Sequence, residues 1–196
     1  PSDYRVIASY NWDITSRPGD PRIIIPGSPR WLSLDSMRSR FTLQKDKGYA
    51  TVDENHYRMK PGSPMAPLFR AVEVCEPDFE WGSVDIVTDR NNLRKLLRFC
   101  GTPGWRASSA EDPFQIFMSI RDNGPLVLTR SEVCDHAPPR GYGHNFEKKM
   151  TKATKRSPKN AGSYRTIVQW KIGNLNIIVR NEVDTCEKES APAVSK

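Results

Sequence analysis

Arg165-Thr166-Ile167-Val168-Gln169-Trp170-Lys171-Ile172-Gly173-Asn174-Leu175-Asn176-Ile177-Ile178-Val179-Arg180-Asn181-Glu182-Val183-Asp184 is the stretch on which the fold class turns. β-Branched and aromatic residues crowd both sides of Gly173-Asn174, and apolar residues recur at about every second position. That is the pattern of two strands joined by a tight turn. Successive side chains on a strand point to opposite faces, so Glu182 and Asp184 share a face while Val183 points the other way. Two carboxylates held that close repel. Such a pair is kept because a cation sits between them or because both face water.

Upstream, Phe114 to Ile120 and Pro125 to Thr129 flank Arg121-Asp122-Asn123-Gly124, and Asn-Gly between two apolar alternations predicts a second hairpin. Further strand-like runs cover Tyr4 to Tyr10 and Arg22 to Ile25, with a loop of Pro and Gly between them. Trp31 to Asp35 is extended. Met37 to Pro67 is irregular, with short extended pieces at Phe41 to Leu43 and Ala50 to Val52. Phe69 to Cys75 fits strand or helix, and Pro77 ends it either way.

From Thr88 or Asp89 as N-cap a helix is expected, because Leu93, Leu96, Leu97 and Cys100 share one face. Arg90, Arg94, Lys95 and Arg98 make the other face basic. That face is either solvated or a phosphate contact, with Arg90 near the helix N-terminus, where anions bind. Residues 101 to 113 and 131 to 140 read as loops. Gly141 to Met150 opens a helix whose glycines allow close approach. The basic run from Lys148 through Lys159 is a solvated connector, a nucleic-acid contact or a nuclear address. The result is one α+β domain with a mixed, mainly antiparallel β-sheet core and a few flanking helices.

Composition narrows the function. The 196 residues are 37% hydrophobic and 27% charged, with 16 prolines and 12 glycines, which suits a globular chain rich in loops. No apolar run approaches the roughly 20 residues of a membrane span, and Pro1-Ser2-Asp3-Tyr4 is no signal peptide, so a soluble intracellular protein with a processed start is expected. Cys75, Cys100, Cys134 and Cys186 lie far apart and read as reduced structural thiols rather than zinc ligands. His56, His136 and His144 are equally scattered. A net charge of +7 and a pI near 9.3 point to a polyanionic partner, nucleic acid first.

The order of four of these pieces resembles the DXO/Rai-type family of RNA 5′-end decapping enzymes and nucleases, whose nuclear member accompanies a 5′-3′ exoribonuclease. Trp31-Leu32-Ser33-Leu34-Asp35 is similar to the family's early strand. Val87-Thr88-Asp89-Arg90-Asn91-Asn92-Leu93-Arg94-Lys95-Leu96-Leu97 resembles its V-T-W-R-G-x-L-x-K motif, so Arg90 falls on the motif arginine. Gly143-His144-Asn145-Phe146-Glu147 has the spacing of its G-x-h-x-E motif. Asn181-Glu182-Val183-Asp184 ends the hairpin as its E-h-D motif does. The resemblance implies the decapping nuclease fold, with Glu182 and Asp184 as Mg²⁺ or Mn²⁺ ligands, Glu147 on or near the metals, and Arg90 holding substrate phosphate.

The implied activity is hydrolysis at RNA 5′ ends in RNA quality control, by decapping, by pyrophosphate removal or by 5′-3′ exoribonuclease action, in the nucleus and with an exoribonuclease as partner. Asp89 and Asn91 replace the family's tryptophan and glycine. The acid-hydrophobic-Lys strand that follows E-h-D in the family has no counterpart in the twelve residues after Asp184. The expectation is therefore a single decapping-nuclease-like domain over residues 1 to 196 lacking its C-terminal part. If activity went with that part, the alternative is an inactive relative serving as an RNA- or exoribonuclease-binding scaffold.

Overall fold

The computed structural model describes residues 2–17, 20–33, 40–47, 50–51, 55, 58–59, 62–101, 114–120, 124–131, 136–137, 141–154 and 157–187. Most of the loops expected at 101 to 113 and 131 to 140, the first three residues of the second turn, Leu34 and Asp35, Val52, His56, Cys134, Lys155 and Arg156 lie outside those residues. In chain order the elements are β1 (Ser2–Asp13), β2 (Ile23–Ile24), β3 (Trp31–Leu32), β4 (Ala50–Thr51), α1 (Ala66–Cys75), a 3-10 turn at Trp81–Ser83, β5 (Ile86–Asp89) and α2 (Arg90–Phe99). After them come β6 (Gln115–Ile120), β7 (Leu126–Ser131), β8 (His136–Ala137), α3 (Gly143–Met150), β9 (Thr151–Lys152), β10 (Ala161–Ile172) and β11 (Leu175–Glu182).

The hairpin of the opening stretch is the centre of a seven-stranded sheet in the order β2-β1-β10-β11-β5-β7-β6. Ile172 pairs with Leu175 across Gly173-Asn174, and Gly173 takes φ +60°, a left-handed conformation that glycine adopts without steric cost. The ladders of β1 with β2 and β10, of β10 with β11 and of β6 with β7 are antiparallel, while β11–β5 and β5–β7 are parallel. The fold is thus the expected α+β class, with a large, mainly antiparallel sheet. The 114–131 hairpin is present, and β3 and β4 make short ladders with β9 and β8.

Both faces of the central strands are covered, which explains the unbroken apolar run Ile177-Ile178-Val179. On one face Ile7, Tyr10, Trp12, Val87, Ile167 and Ile178 pack with Leu68, Ala71 and Val72 of α1. On the other, Val168, Ile177 and Val179 meet Leu93 of α2 and Trp170. Each fully buried Val, Leu or Ile among them contributes about 1.5–3 kcal/mol.

The structure departs from the sequence reading in places. The ambiguous Phe69 to Cys75 segment is helix: Pro67 lies in the first turn, where its missing N–H costs nothing, and Leu68, Ala71 and Val72 are buried at helical spacing. The expected extended piece at Phe41 to Leu43 pairs with no strand among the described residues. In α2 Leu97 is 57% exposed and Cys100 is exposed, while polar Asn92 is the fully buried residue. The glycines opening α3 approach nothing closely, since a Cβ on Gly143 would meet no atom within 4 Å. Instead, the Asp46 carboxylate from the 40–47 segment accepts the backbone N–H groups of His144 (3.1 Å) and Asn145 (2.8 Å), capping the helix from outside.

Candidate functional site

Parallel pairing brings the carboxyl ends of β5, β7 and β11 to one end of the sheet, where α2 begins. In open sheets this is where ligands bind, because loops and helix N-termini gather there. A cleft of about 70 Å³ lies at that end, lined by four arginines (Arg90, Arg130, Arg165 and Arg180) and two acids (Asp89 and Glu182).

Each arginine is held differently. Arg180 is the registered partner of Asp89 across the β11–β5 ladder, and its guanidinium donates two bonds to that carboxylate, at 2.6 and 2.8 Å. It also donates to the Pro64 carbonyl (3.1 Å) and the Tyr10 hydroxyl (3.4 Å). Burial works to lower its pKa, but Asp89 and then Tyr10 more than offset this, so it stays above its ordinary value and charged. The Tyr10 hydroxyl donates onward to Asn55 (3.3 Å), which also accepts from the Trp12 indole (3.1 Å). Burial first of all raises the Tyr10 pKa.

Arg165 stands directly opposite Glu182 across the β10–β11 ladder and donates to its carboxylate at 2.9 Å. The Arg165 side chain is only 8% exposed, and its Nε has no hydrogen-bond partner among the described residues. A buried donor left unpaired is costly unless something outside the chain accepts from it. Arg130 donates to the Asn92 carbonyl oxygen (3.1 Å), whose amide in turn donates to the Thr88 hydroxyl and the Leu128 carbonyl, both 3.1 Å away. Asn92 is buried for this reason: it ties α2, β5 and β7 together and aims Arg130 at the cleft. Asp89 is the N-cap of α2, as expected, but its side chain makes no capping bond because Arg180 takes it, so no Asp89 oxygen covers the first N–H groups of the helix.

Of the residues singled out in the sequence, Arg90 and Glu182 line the cleft. Glu147 and Asp184 feel each other's charge. Burial, then the Asp184 charge, raise the Glu147 pKa; His144 opposes them and Asp46 adds to them. Glu147 and Asp184 are not among the residues that line the cleft. Among the described residues no three His, Cys, Asp or Glu side chains group closely enough to hold a metal ion. Glu182 is engaged by Arg165 instead.

Arg130, Arg165, Arg180, Asn92 and Asn55 were not predicted. A charged residue inside an apolar run, as in Ile178-Val179-Arg180, was the available signal.

Residues 1–195 match the family model described as domain of unknown function DUF8563. The chain belongs to DUF8563. No curated protein sequence matches this DUF8563 chain. Among solved structures, it is similar to S. pombe Rai1 in complex with 3′-FADP, with a TM-score of 0.58 and 14% identity over 96% of this chain and 55% of that one. A mutant S. pombe Rai1 with the same ligand gives 0.58 and 12%, over the same shares. S. pombe Rai1 alone gives 0.53 and 13%, over 97% and 55%. At such identity the likeness shows the fold, and the DUF8563 chain spans about half the length of these structures.

Proposed function

We propose that the chain acts at RNA 5′ ends as a divergent relative of the DXO/Rai-type enzymes, a Mg²⁺- or Mn²⁺-dependent hydrolase that removes an aberrant cap or pyrophosphate or degrades from a 5′ phosphate. The observation that carries this reading is the gathering of four arginines at the carboxyl ends of β5, β7 and β11, beside the uncapped start of α2. A terminal phosphate suits such a cleft, because guanidinium groups engage phosphate oxygens in pairs and free helix N–H groups add donors. Arg90 and Arg165 grip the phosphate, Arg130 orients it, and Arg180, already paired with Asp89, supplies fixed positive charge.

Glu147 and Asp184 would hold the cation, with Glu182 held by Arg165. When bound, the ion supplies an activated water and neutralises charge on the phosphate. Incubating 5′-triphosphorylated and incompletely capped RNA with the protein and Mg²⁺ or Mn²⁺ tests the reading. Release of pyrophosphate or cap is expected, falling about 100-fold or more in Glu147→Gln/Asp184→Asn, the scale seen when a group stabilising transition-state charge is lost. Equal product from wild type and variant would sink it.

The engagement of Glu182 by Arg165 favours a second reading, a catalytically inactive scaffold that binds RNA 5′ ends or an exoribonuclease. Intact binding of 5′-phosphorylated RNA, with an unfolding midpoint indifferent to Mn²⁺, would select it.

A further inference from the structure

Arg90, Arg94 and Arg98 occupy positions i, i+4 and i+8 of α2, and all three are exposed. Four residues advance roughly 6 Å along a helix and turn only about 40° around it, so the three guanidiniums form a shallow ladder. Its first rung is the Arg90 that lines the arginine cleft. Successive phosphates of an extended single strand repeat at a comparable spacing. Leu97, 57% exposed, stands in the same stripe and offers an apolar surface to a sugar or base. No acidic residue interrupts α2 (Arg-Asn-Asn-Leu-Arg-Lys-Leu-Leu-Arg-Phe), and the neighbouring Asp89 is turned to Arg180. Lys95 lies off the ladder, over the Phe114 ring at 5.3 Å.

We propose that α2 carries the body of a single-stranded RNA away from the cleft, with Arg94 and Arg98 each meeting a backbone phosphate downstream of the one held at Arg90. The proposal rests on the phosphate reading of the cleft and adds a direction: the strand leaves along α2. Charge complementarity selects the occupant, since a ladder of one sign with regular spacing fits a regular polyanion better than the mixed surface of a protein. The buried Arg165 Nε, which lies in the same cleft as Arg90 and has no hydrogen-bond partner among the described residues, supplies an independent sign that an acceptor from outside the chain sits there.

Fluorescence anisotropy with a 5′-phosphorylated mononucleotide, tetramer and octamer, and with a 5′-hydroxyl octamer, tests it. We expect a preference for 5′ phosphate in the octamer, and affinity that rises from mononucleotide to tetramer and then levels, because the ladder spans only about 12 Å. Arg94→Gln/Arg98→Gln should weaken octamer binding about tenfold and lower its salt slope by roughly 1.4, leaving the mononucleotide unaffected. Gln has nearly the helix propensity of Arg, so folding is preserved and is checked by circular dichroism. A 5′-phosphate preference with no gain in length, or no response to the double substitution, overturns the track and leaves the cleft standing. Equal binding of the 5′-phosphate and 5′-hydroxyl octamers, with the length gain and the variant's effect intact, overturns the cleft reading instead. If the variant binds RNA normally but loses a self-association seen by light scattering, α2 is a protein interface and the track is overturned.

Discussion

A guanidinium as deeply buried as that of Arg180, 2% exposed, survives only because every side of it is answered: Asp89 in bidentate fashion, the Pro64 carbonyl and the Tyr10 hydroxyl. Removing one partner of a buried pair leaves a charge uncompensated, so Asp89→Asn should cost about 3–5 kcal/mol, read as a lower urea midpoint at unchanged slope. A measured loss under about 1 kcal/mol would mean that water reaches Arg180 and that the pair is of the surface kind. In the sequence the acids Glu182 and Asp184 stand out, and the base four places before Asp184 does not. The reason is physical. Acids at a strand end advertise a cation, whereas an arginine within a strand declares itself only when its partner, 91 residues away, is known. Asp89, which stands where the resemblance expected tryptophan, is that partner, so the departure from the motif is also its explanation.

At the level of elements, the β10–β11 hairpin was legible because turn chemistry and strand pattern are local, and its register follows from the two-residue turn. Gly173→Ala forces an L-residue to φ +60° and should cost about 1 kcal/mol by chemical denaturation, without altering phosphate binding at the far end of the strands. The rotation of α2 was not legible. Leu93, Leu96, Leu97 and Cys100 form one apolar stripe on a helical wheel, but the helix is set by the Asn92 amide, which bridges Thr88 and the Leu128 carbonyl and turns Leu97 outward. Buried polar networks defeat periodicity arguments because their partners come from other strands. The helical state of α1 escaped for a different reason: a ten-residue amphipathic segment and a buried strand share the same short apolar run until Pro67 is placed in the first turn.

Taken as a whole, the molecule carries a charge of +7, and four of its 30 basic residues converge on one small cleft. Inorganic pyrophosphate, which reproduces the anionic end of an RNA without its bases, should therefore bind the folded chain and not the unfolded one. At about 100 times its dissociation constant it should add about 2.7 kcal/mol, a rise of several degrees in the thermal midpoint. The rise should vanish in Arg165→Gln if the Nε, which has no partner among the described residues, is the donor that receives it. The α+β class was legible from local patterns; the cleft was not, because it exists only where β5, β7 and β11 are laid side by side. That arrangement has a bearing on how the protein is made. β5 emerges from the ribosome with β7 soon after it, but its other neighbour, β11, is synthesised last of the described strands. Until then Asp89 lacks Arg180 and one edge of β5 is open, so the arginine cleft is a late product of translation, completed when β11 pairs with β5.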